Sequence, residues 1–246
     1  MKENKYDNEQ FFKKYSEMER SRKGLPGAGE WRELQKILPN FHGKKVLDLG
    51  CGYGWHCKYA VENGAVSVLG TDISRKMLET AREKSADPNI EYRRIAMEDL
   101  EFPEGTFDVV ISSLAFHYVR DFTMLAENIF RWLTPGGDLV FSVEHPVFTA
   151  YGNQDWYYDE NGKILHFPVD NYYYEGKREA VFLGETVMKY HRTLTTYLDT
   201  LLQTGFRIQH IIEPQPPEDM MDLPGMKEEM RRPMMLLVSA RKEGAV

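Results

Sequence analysis

A short apolar strand that runs directly into alternating glycines constrains the fold more than any other feature of the sequence. The segment Lys45–Leu49, KVLDL, has the composition of a buried strand, and glycines follow at positions 50, 52 and 54. Because glycine has no Cβ, such a backbone can turn sharply and approach a bound ligand closely. The residues after the loop, 55–63, have a helical pattern that Gly64 ends, and free amides at the start of a helix can bind a carboxylate or a ribose. The sequence therefore predicts a strand, a ligand-binding loop and a helix.

Strand and helix patterns continue to alternate along the chain. Further strands are predicted at 65–71, 90–95, 107–112, 138–143, 206–213 and 234–241, and further helices at 75–85, 122–133 and 190–204. Parallel strands need helical crossovers, so this alternation is typical of an α/β, doubly wound, mostly parallel sheet, here of seven strands. A long loop, 214–233, separates the last two strands, and we expect them to form an antiparallel C-terminal hairpin at the edge of the sheet.

Two segments fall outside this alternation. Residues 1–43 are polar with spaced aromatics, and a helix at 30–38 would bury Trp31 and Leu34 on one face, so we predict an N-terminal helical cover. Residues 146–189 are rich in tyrosine and tryptophan, and we predict an inserted aromatic flap there, although such residues can also pack a satellite core or a dimer surface. The length of 246 residues and the 42% hydrophobic content suit one domain spanning 1–246.

Charge and apolar content limit the partners of the chain. The formal net charge of -7 opposes a sequence-independent grip on nucleic acid, which depends on Lys and Arg. No run reaches the roughly 20 apolar residues that span a bilayer, and the first ten residues have no apolar core. We therefore predict a cytoplasmic monomer or homodimer that binds neither nucleic acid nor membrane. Cys51 and Cys57 are expected to be reduced thiols, and no metal site is predicted because with His56 they lack a second ligand pair.

Two residues discriminate between the ligands that a glycine loop can hold. The dinucleotide fingerprint needs a third glycine three residues after the second, and Trp55 occupies that position, which disfavours a nicotinamide-dependent oxidoreductase. Asp72 ends the second predicted strand 22 residues after Gly50, where a carboxylate can bind both ribose hydroxyls of an adenosine-containing ligand. Asp72 could also simply cap the helix that follows.

Together these residues resemble the class I S-adenosylmethionine-dependent methyltransferases over about residues 45–143. VLDLGCGYG is similar to the cofactor loop of that family, TDIS to its ribose-binding segment and FDVVISSLAFHYV to its fourth strand. LTPGGDLVFSVEHP resembles the fifth strand of the small-molecule branch known as type 11. The resemblance implies a Rossmann-like fold, S-adenosylmethionine as the cofactor and methyl transfer as the activity.

The resemblance also implies a set of cofactor contacts. The residues expected to bind the cofactor are Tyr15, Asp48, Gly50, Cys51, Gly52, Asp72, Ile73, Met97, Glu98, Ser113 and Leu114. Within this set Asp48 would order the methionine amino group, and Tyr15 would either close over the methionine end or pack on the surface. Many relatives carry an aspartate for the adenine amino group where Ala96 stands here. Either Glu98 substitutes for it, or that amino group meets only solvent or backbone.

Methyl transfer from a sulfonium needs alignment, and it needs a general base only when the acceptor is protonated. The candidate bases are His117 and His145, which follow the fourth and fifth strands, although either can equally be a hydrogen-bonded loop histidine. The residues expected to bind the acceptor are Tyr118, Tyr173, His191 and Arg192. The last two are predicted to start the helix 190–204, and they could equally be its solvated end.

We predict a small-molecule acceptor, with an O, N or C atom left open. No Asn-Pro-Pro-Tyr-like sequence follows the fourth strand, where Ser112-Ser113-Leu114-Ala115 stands, and this disfavours amino-methylation of nucleic-acid bases and of protein glutamine. Two other functions stay open: an RNA or protein methyltransferase, and a binding module that kept the cofactor pocket without turnover.

Overall fold

Helices precede the sheet in the computed structural model of the chain, which describes residues 4–244. The helices are α1 (Glu9–Glu17), α2 (Glu19–Lys23) and α3 (Trp31–Ile37), after a 3-10 turn at Lys5–Asp7. They occupy the region where the helical cover is predicted, and we call residues 4–43 the N-terminal cover. Of the predicted domain 1–246, residues 1–3 and 245–246 lie outside the described residues.

The alternating part of the chain contains β1 (Lys45–Leu49), α4 (Trp55–Glu62), β2 (Ser67–Asp72), α5 (Arg75–Lys84), β3 (Ile90–Arg94), β4 (Phe107–Ser113), α6 (Phe122–Trp132) and β5 (Leu133–Glu144). The region of the predicted flap contains α7 (Pro146–Thr149), a hairpin of β6 (Tyr157–Tyr158) and β7 (Ile164–His166), and a hairpin of β8 (Gly176–Phe182) and β9 (Glu185–His191). The chain continues with α8 (Leu194–Thr204), β10 (Phe206–Ile212), α9 (Met226–Glu229) and β11 (Met235–Lys242).

Seven strands form one sheet in the order β10-β11-β5-β4-β1-β2-β3. The pairs β1 with β2, β1 with β4, β2 with β3 and β4 with β5 are parallel, whereas β11 is antiparallel to both β5 and β10. The predicted seven-stranded, mostly parallel sheet with its antiparallel C-terminal pair is confirmed. In such a sheet a ligand binds at the carboxyl ends of the strands, and β1, β2, β4 and β5 all end at one edge.

Separate cores cover the two faces of the sheet, because successive side chains of a strand point to opposite faces. In β1, Val46 packs in a cluster that contains Ala60 of α4, whereas Leu47 packs in one that contains Trp132 of α6 and Leu201 of α8. Helix α3 buries its apolar side against β5 and β11 in a third cluster. The glycine loop is therefore anchored from both faces. None of the described helices combines the length with the apolar character that a bilayer crossing demands.

Strand β5 is longer than predicted, because its first residue pairs with β4 before an irregularity. Phe107 pairs with Leu133 and Val109 pairs with Asp138, so residues 134–137 bulge out of the ladder. Pro135, Gly136 and Gly137 lie in this bulge, and the strand pairing on either side of it depends on tertiary contacts that no local pattern reveals.

Helix α8 begins later than predicted. His191 pairs with Gly176 as the last residue of β9, and Thr193 caps the helix by accepting a hydrogen bond from the amide of Thr196. The prediction that His191 and Arg192 start this helix is therefore wrong. Cross-strand pairing with β8 outweighs the local helical pattern at these residues.

Candidate functional site

A cavity of about 1100 Å³ lies at the carboxyl edge of the sheet. Its wall includes the glycine loop after β1 and the ends of β2, β4 and β5, each of which contributes polar atoms. The N-terminal cover forms a second wall, and the β8–β9 hairpin forms a third. The cavity thus lies between the strand ends that carry the recognised motifs and two segments without a recognisable motif, the N-terminal cover and the β8–β9 hairpin.

The glycine loop has a left-handed backbone at Gly50, Gly52 and Gly54, with φ of 75°, 53° and 73°. A Cβ added at Gly50 would lie 2.5 Å from the Cβ of Ala115, so packing as well as φ requires glycine there. A Cβ added at Gly52 would meet no described atom within 4 Å, although Gly52 lines the cavity. The loop therefore forms a cradle whose surface at Gly52 is bare backbone facing open space.

Asp72 closes the cradle from the end of β2. One carboxylate oxygen accepts a hydrogen bond from the amide of Gly52 at 3.0 Å, and the other accepts from the amide of Ser74 at 2.8 Å. Burial raises the pKa of Asp72 to about 6, and these backbone donors oppose that rise. A carboxylate oxygen has two lone pairs, so both oxygens can still accept from a ligand.

Most of the predicted cofactor residues come together around this cradle. Those that line the cavity are Tyr15, Gly50, Cys51, Gly52, Asp72, Ile73, Met97, Glu98, Ser113 and Leu114. Leu114 has a left-handed backbone, with φ of 52°, and two hydrogen bonds from its amide to Ser142 hold it there. A strained residue that its surroundings fix in this way is common at functional sites.

Asp48 is the exception, because it does not line the cavity. Its side chain is buried beneath the loop and accepts a hydrogen bond from the thiol of Cys57 at 3.2 Å. Burial raises the pKa of Asp48 to about 7, and burial likewise raises the pKa of Cys57. Within residues 4–244, no three histidine, cysteine or acidic side chains form a group that could hold a metal ion.

In the N-terminal cover, Tyr6 lines the cavity wall and Asp7 holds the cover against the site, and the sequence predicted neither contact. The hydroxyl of Tyr6 lies 3.1 Å from that of Tyr118 inside the cavity. Asp7 accepts hydrogen bonds from the hydroxyl of Ser74 at 2.7 Å and from the amide of Lys76 at 3.1 Å, which ties the cover to the turn that follows Asp72. The polar sequence around these two residues gave no signal.

His117 lies at the other end of the cavity, between the ends of β4 and β5. Its Nδ1 accepts a hydrogen bond from the amide of Glu144 at 3.4 Å, so the neutral ring carries its proton on Nε2. Burial lowers the pKa of His117 to about 4; Glu144 opposes this change and Lys189 adds to it. At neutral pH the ring is therefore uncharged and offers an N–H donor.

A buried ion pair stands beside His117. Lys189 of β9, only 2% exposed, donates to Glu144 at 2.5 Å and to the side-chain oxygen of Gln154 at 2.8 Å. Gln154 in turn donates to the second carboxylate oxygen of Glu144 at 2.6 Å. Burial opposes ionisation of Glu144, but His117 and Lys189 outweigh it and lower the pKa of Glu144. The sequence did not predict that Lys189, Glu144 and Gln154 form this hydrogen-bonded triad.

Two predicted residues, His145 and Tyr173, lie outside the cavity wall. His145 caps α7 by accepting from the amide of Val147 at 3.0 Å, and its Nε2 lies 2.8 Å from the carboxylate of Glu213. Tyr173 is 88% exposed on the surface of the flap region. The structure does not bring either of them to the acceptor end.

His191 and Arg192 are also absent from the cavity wall. The ring of His191 is buried between the hydroxyl of Thr149, 2.7 Å from Nδ1, and the carbonyl of Tyr172, 2.9 Å from Nε2. Arg192 donates to the backbone carbonyl of Val119, in the segment after β4. The side chain of Arg192 therefore contacts a residue of the cavity wall, Val119, whereas that of His191 contacts residues outside the wall. Tyr118 itself lines the cavity.

Comparisons with known proteins agree with this geometry. A family model described as a methyltransferase domain matches residues 47–141. A crystal structure from Listeria monocytogenes, assigned as an S-adenosylmethionine-dependent methyltransferase, is 54% identical with a TM-score of 0.85 and covers 89% of this chain and 99% of its own. An S-adenosylmethionine-dependent methyltransferase from Mesorhizobium loti is 44% identical with a TM-score of 0.81 and covers 89% and 100%. An uncharacterised protein of Haemophilus influenzae is 34% identical over 244 residues, 96% of each chain.

The fold and the site thus define an enzyme that transfers methyl groups from S-adenosylmethionine. The chain belongs to the class I S-adenosylmethionine-dependent methyltransferases, in the type 11 branch.

Relatives whose names specify a methyl acceptor match a smaller part of this chain. The demethylmenaquinone methyltransferase of Lactococcus lactis is 34% identical over 128 residues, 49% of this chain and 51% of its own length. The phosphoethanolamine N-methyltransferase 3 of Arabidopsis thaliana is 32% identical over 121 residues, 48% of this chain and 24% of its own.

Proposed function

We propose that this methyltransferase acts on a small molecule that enters the cavity beside His117. The size of the cavity carries the proposal: it is about 1100 Å³, whereas a pocket for one drug-sized ligand has about 300–1,000 Å³. The cavity therefore has room for the cofactor together with an acceptor of metabolite size. The β8–β9 hairpin and Tyr6 cover the acceptor end, and this cover favours a compact acceptor over a folded macromolecule.

The cradle fits the adenosine part of the cofactor. We assign the ribose hydroxyls to Asp72, because its ionised carboxylate borders the bare backbone of Gly52. Ile73 and Met97 then contact the adenine ring, and Glu98, which lines the cavity beside Ala96, accepts from its amino group. When bound, the cofactor supplies a methyl group already activated on a sulfonium, so the task of the protein is alignment and exclusion of water.

Donors rather than a free base surround the proposed acceptor. His117 offers Nε2–H, because its Nδ1 is already the acceptor for a backbone amide. Glu144, the neighbouring carboxylate, is committed to Lys189 and Gln154. A general base works best with a pKa near the operating pH, and the pKa of His117 is about 4. We therefore propose that the acceptor arrives with an available lone pair, as an anion or a neutral amine, and that His117 positions it.

Charge and relatives support the same substrate class. The net charge of -7 is unfavourable for binding the phosphates of RNA. The relatives from Lactococcus lactis and Arabidopsis thaliana have names that specify small acceptors, a demethylmenaquinone and a phosphoethanolamine. Their likeness covers about half of this chain, so it supports the class of acceptor and not its identity.

Incubation with methyl-labelled S-adenosylmethionine tests the proposal. The purified enzyme is given a cell extract divided into a metabolite fraction, an RNA fraction and a protein fraction, with an Asp72→Ala variant as the control. We expect label in the metabolite fraction for the wild type and little for the variant. Label confined to RNA or protein would refute the proposal. Tight cofactor binding without label in any fraction would favour the binding module.

A further inference from the structure

The wall of the cavity around His117 carries an excess of positive charge, although the formal net charge of the whole chain is -7. Arg120 follows His117 by three residues, and Lys177 and Lys189 come from the two strands of the β8–β9 hairpin. All three cations line the cavity, together with the carboxylate of Glu144. The ion pair with Lys189 already balances the charge of Glu144, so Arg120 and Lys177 remain as the excess.

The other described acidic residues near this end do not cancel the excess. Asp72 and Glu98 also line the cavity, but they follow β2 and β3, in the part of the wall that we assign to the adenosine. Lys177 lies 3.8 Å from Glu179, yet both side chains are exposed, where solvent screens an ion pair and makes it worth little. An anionic ligand is therefore favoured over a cationic one beside His117.

Two buried donors at this end have no acceptor among residues 4–244. His117 carries its proton on Nε2, which makes no hydrogen bond in this part of the chain. The ammonium of Lys189 has three N–H groups, of which Glu144 and Gln154 accept two, and its remaining contact is the ring of Phe182 at 5.5 Å. Both donor side chains are only 2% exposed. Buried donors are normally paired, so a ligand with acceptor atoms would complete them.

These donors restrict the chemistry of the methyl acceptor, because its reacting atom must hold a lone pair before it binds. An alkyl amine or a phenol has an ordinary pKa of about 10, so each is mostly protonated at neutral pH. A carboxyl group has an ordinary pKa of about 4 and is already an anion. Its two oxygens are both acceptors, so one can bind the donors while the other reacts.

We propose that the methyl acceptor is a small organic acid, that His117 and Lys189 hold one oxygen of its carboxylate, and that the other oxygen is methylated. The inference rests on the proposed function and names the acceptor atom that it left open. The second oxygen forms a bond to the methyl carbon while the bond from that carbon to sulfur breaks, which yields a methyl ester and S-adenosylhomocysteine. No proton moves, and the opposite charges of carboxylate and sulfonium cancel, a change that a buried site favours because charges are costly to bury.

The chemistry of the labelled product tests this inference. The metabolite fraction that has taken up label from S-adenosylmethionine is treated with dilute alkali, which hydrolyses a methyl ester to its parent acid and volatile labelled methanol. A methyl group on nitrogen, on carbon or on an ether oxygen stays in the non-volatile fraction. We expect most of the label to become volatile.

Binding of the recovered parent acid tests the two donors without turnover. The acid is titrated by calorimetry into enzyme loaded with S-adenosylhomocysteine. His117→Leu removes a donor and should weaken the Kd of the acid about tenfold to a hundredfold, the range for a hydrogen bond to a charged group. His117→Gln keeps an N–H donor and should stay within about threefold of the wild type, a factor worth well under one hydrogen bond.

Two further variants complete this series. His210→Leu is the matched control, because His210 is exposed on β10 at the edge of the sheet, and its Kd for the acid should equal that of the wild type. Lys189→Met combined with Glu144→Gln removes the ammonium without leaving a buried charge unpaired. This double variant should bind the acid at least about tenfold more weakly, while its Kd for S-adenosylhomocysteine, which reports correct folding, stays unchanged.

The outcomes separate this inference from the proposed function. Label in the metabolite fraction that alkali does not release leaves the proposed function standing and refutes the carboxylate acceptor. If the acid binds His117→Leu and the double variant as tightly as the wild type, the roles of His117 and Lys189 are refuted. If the metabolite fraction takes up no label, the proposed function is wrong, and the inference falls with it.

Discussion

Replacing the first two glycines of the loop by alanine should have different consequences, which can be worked out from the structure. Gly50→Ala combines a left-handed φ of 75° with a Cβ that would lie 2.5 Å from Ala115. A left-handed backbone costs an alanine about 1–2 kcal/mol, and forced overpacking costs about 1–3 kcal/mol more. We therefore expect Gly50→Ala to lower the free energy of unfolding by about 2–5 kcal/mol, measured by equilibrium urea denaturation.

Gly52→Ala is the matched variant, because its φ of 53° is also left-handed but its Cβ would face open space. Its unfolding free energy should fall by only about 1–2 kcal/mol. The new methyl group would occupy the cradle, so affinity for S-adenosylhomocysteine should fall at least about tenfold, the equivalent of 1.4 kcal/mol. A Gly50→Ala variant no less stable than Gly52→Ala, or a Gly52→Ala variant that binds the product as the wild type does, would refute these roles of the two glycines.

Three further predictions concern buried charges. Burial raises the pKa of Asp48 to about 7, so the ionised carboxylate destabilises the fold above that pH. At pH 8, Asp48→Asn should therefore raise the free energy of unfolding, by at most about 4 kcal/mol. Urea denaturation should show this gain vanish towards pH 4, and a gain independent of pH would contradict the assignment. Lys189→Met should lower the free energy of unfolding by about 3–5 kcal/mol, because Glu144 would keep an unpaired buried charge, and adding Glu144→Gln should restore most of that free energy. A double-mutant cycle in which the second substitution restores no stability would refute this. Because the pKa of His117 is near 4, its ionisation should not change kcat/KM between pH 5.5 and 8, and His117→Gln should keep the pH profile of the wild type. A wild-type profile of kcat/KM with a midpoint near pH 6.5 that is lost in this variant would instead identify His117 as a general base.

The sheet could be predicted because its signals are local. The bounds of β1 agree with the predicted 45–49, since an apolar pentapeptide before a glycine loop has few alternative structures. The start of β5 and the end of β9 could not be predicted. Leu133 and His191 belong to strands only because Phe107 and Gly176 pair with them across the chain.

The cofactor end of the site was predictable to a similar degree. The motif at Gly50 and Gly52 and the acid at Asp72 lie together because parallel strands carry them to one edge. The position of Asp48 was not evident, since a strand alternates its side chains and this one packs against Cys57 beneath the loop.

The acceptor end required the tertiary structure. Tyr6 comes from the 3-10 turn at Lys5–Asp7 and Lys189 from a hairpin after the fifth strand, yet both border the cavity that His117 lines. Arg20 likewise lies 30 residues before Gly50 and reaches the same cavity. Contacts between segments so distant in sequence depend on how the cover and the hairpin fold over the sheet, and a single sequence carries no local record of them.

A crystal structure of the enzyme with S-adenosylhomocysteine would show directly whether the cofactor lies on the glycine loop with its ribose at Asp72. We predict that the ribose hydroxyls lie within about 3.2 Å of the Asp72 carboxylate, the limit of an ordinary hydrogen bond, with the backbone of Gly52 against the ligand. A complex in which the ribose contacts other residues, or in which the product lies away from the glycine loop, would contradict it.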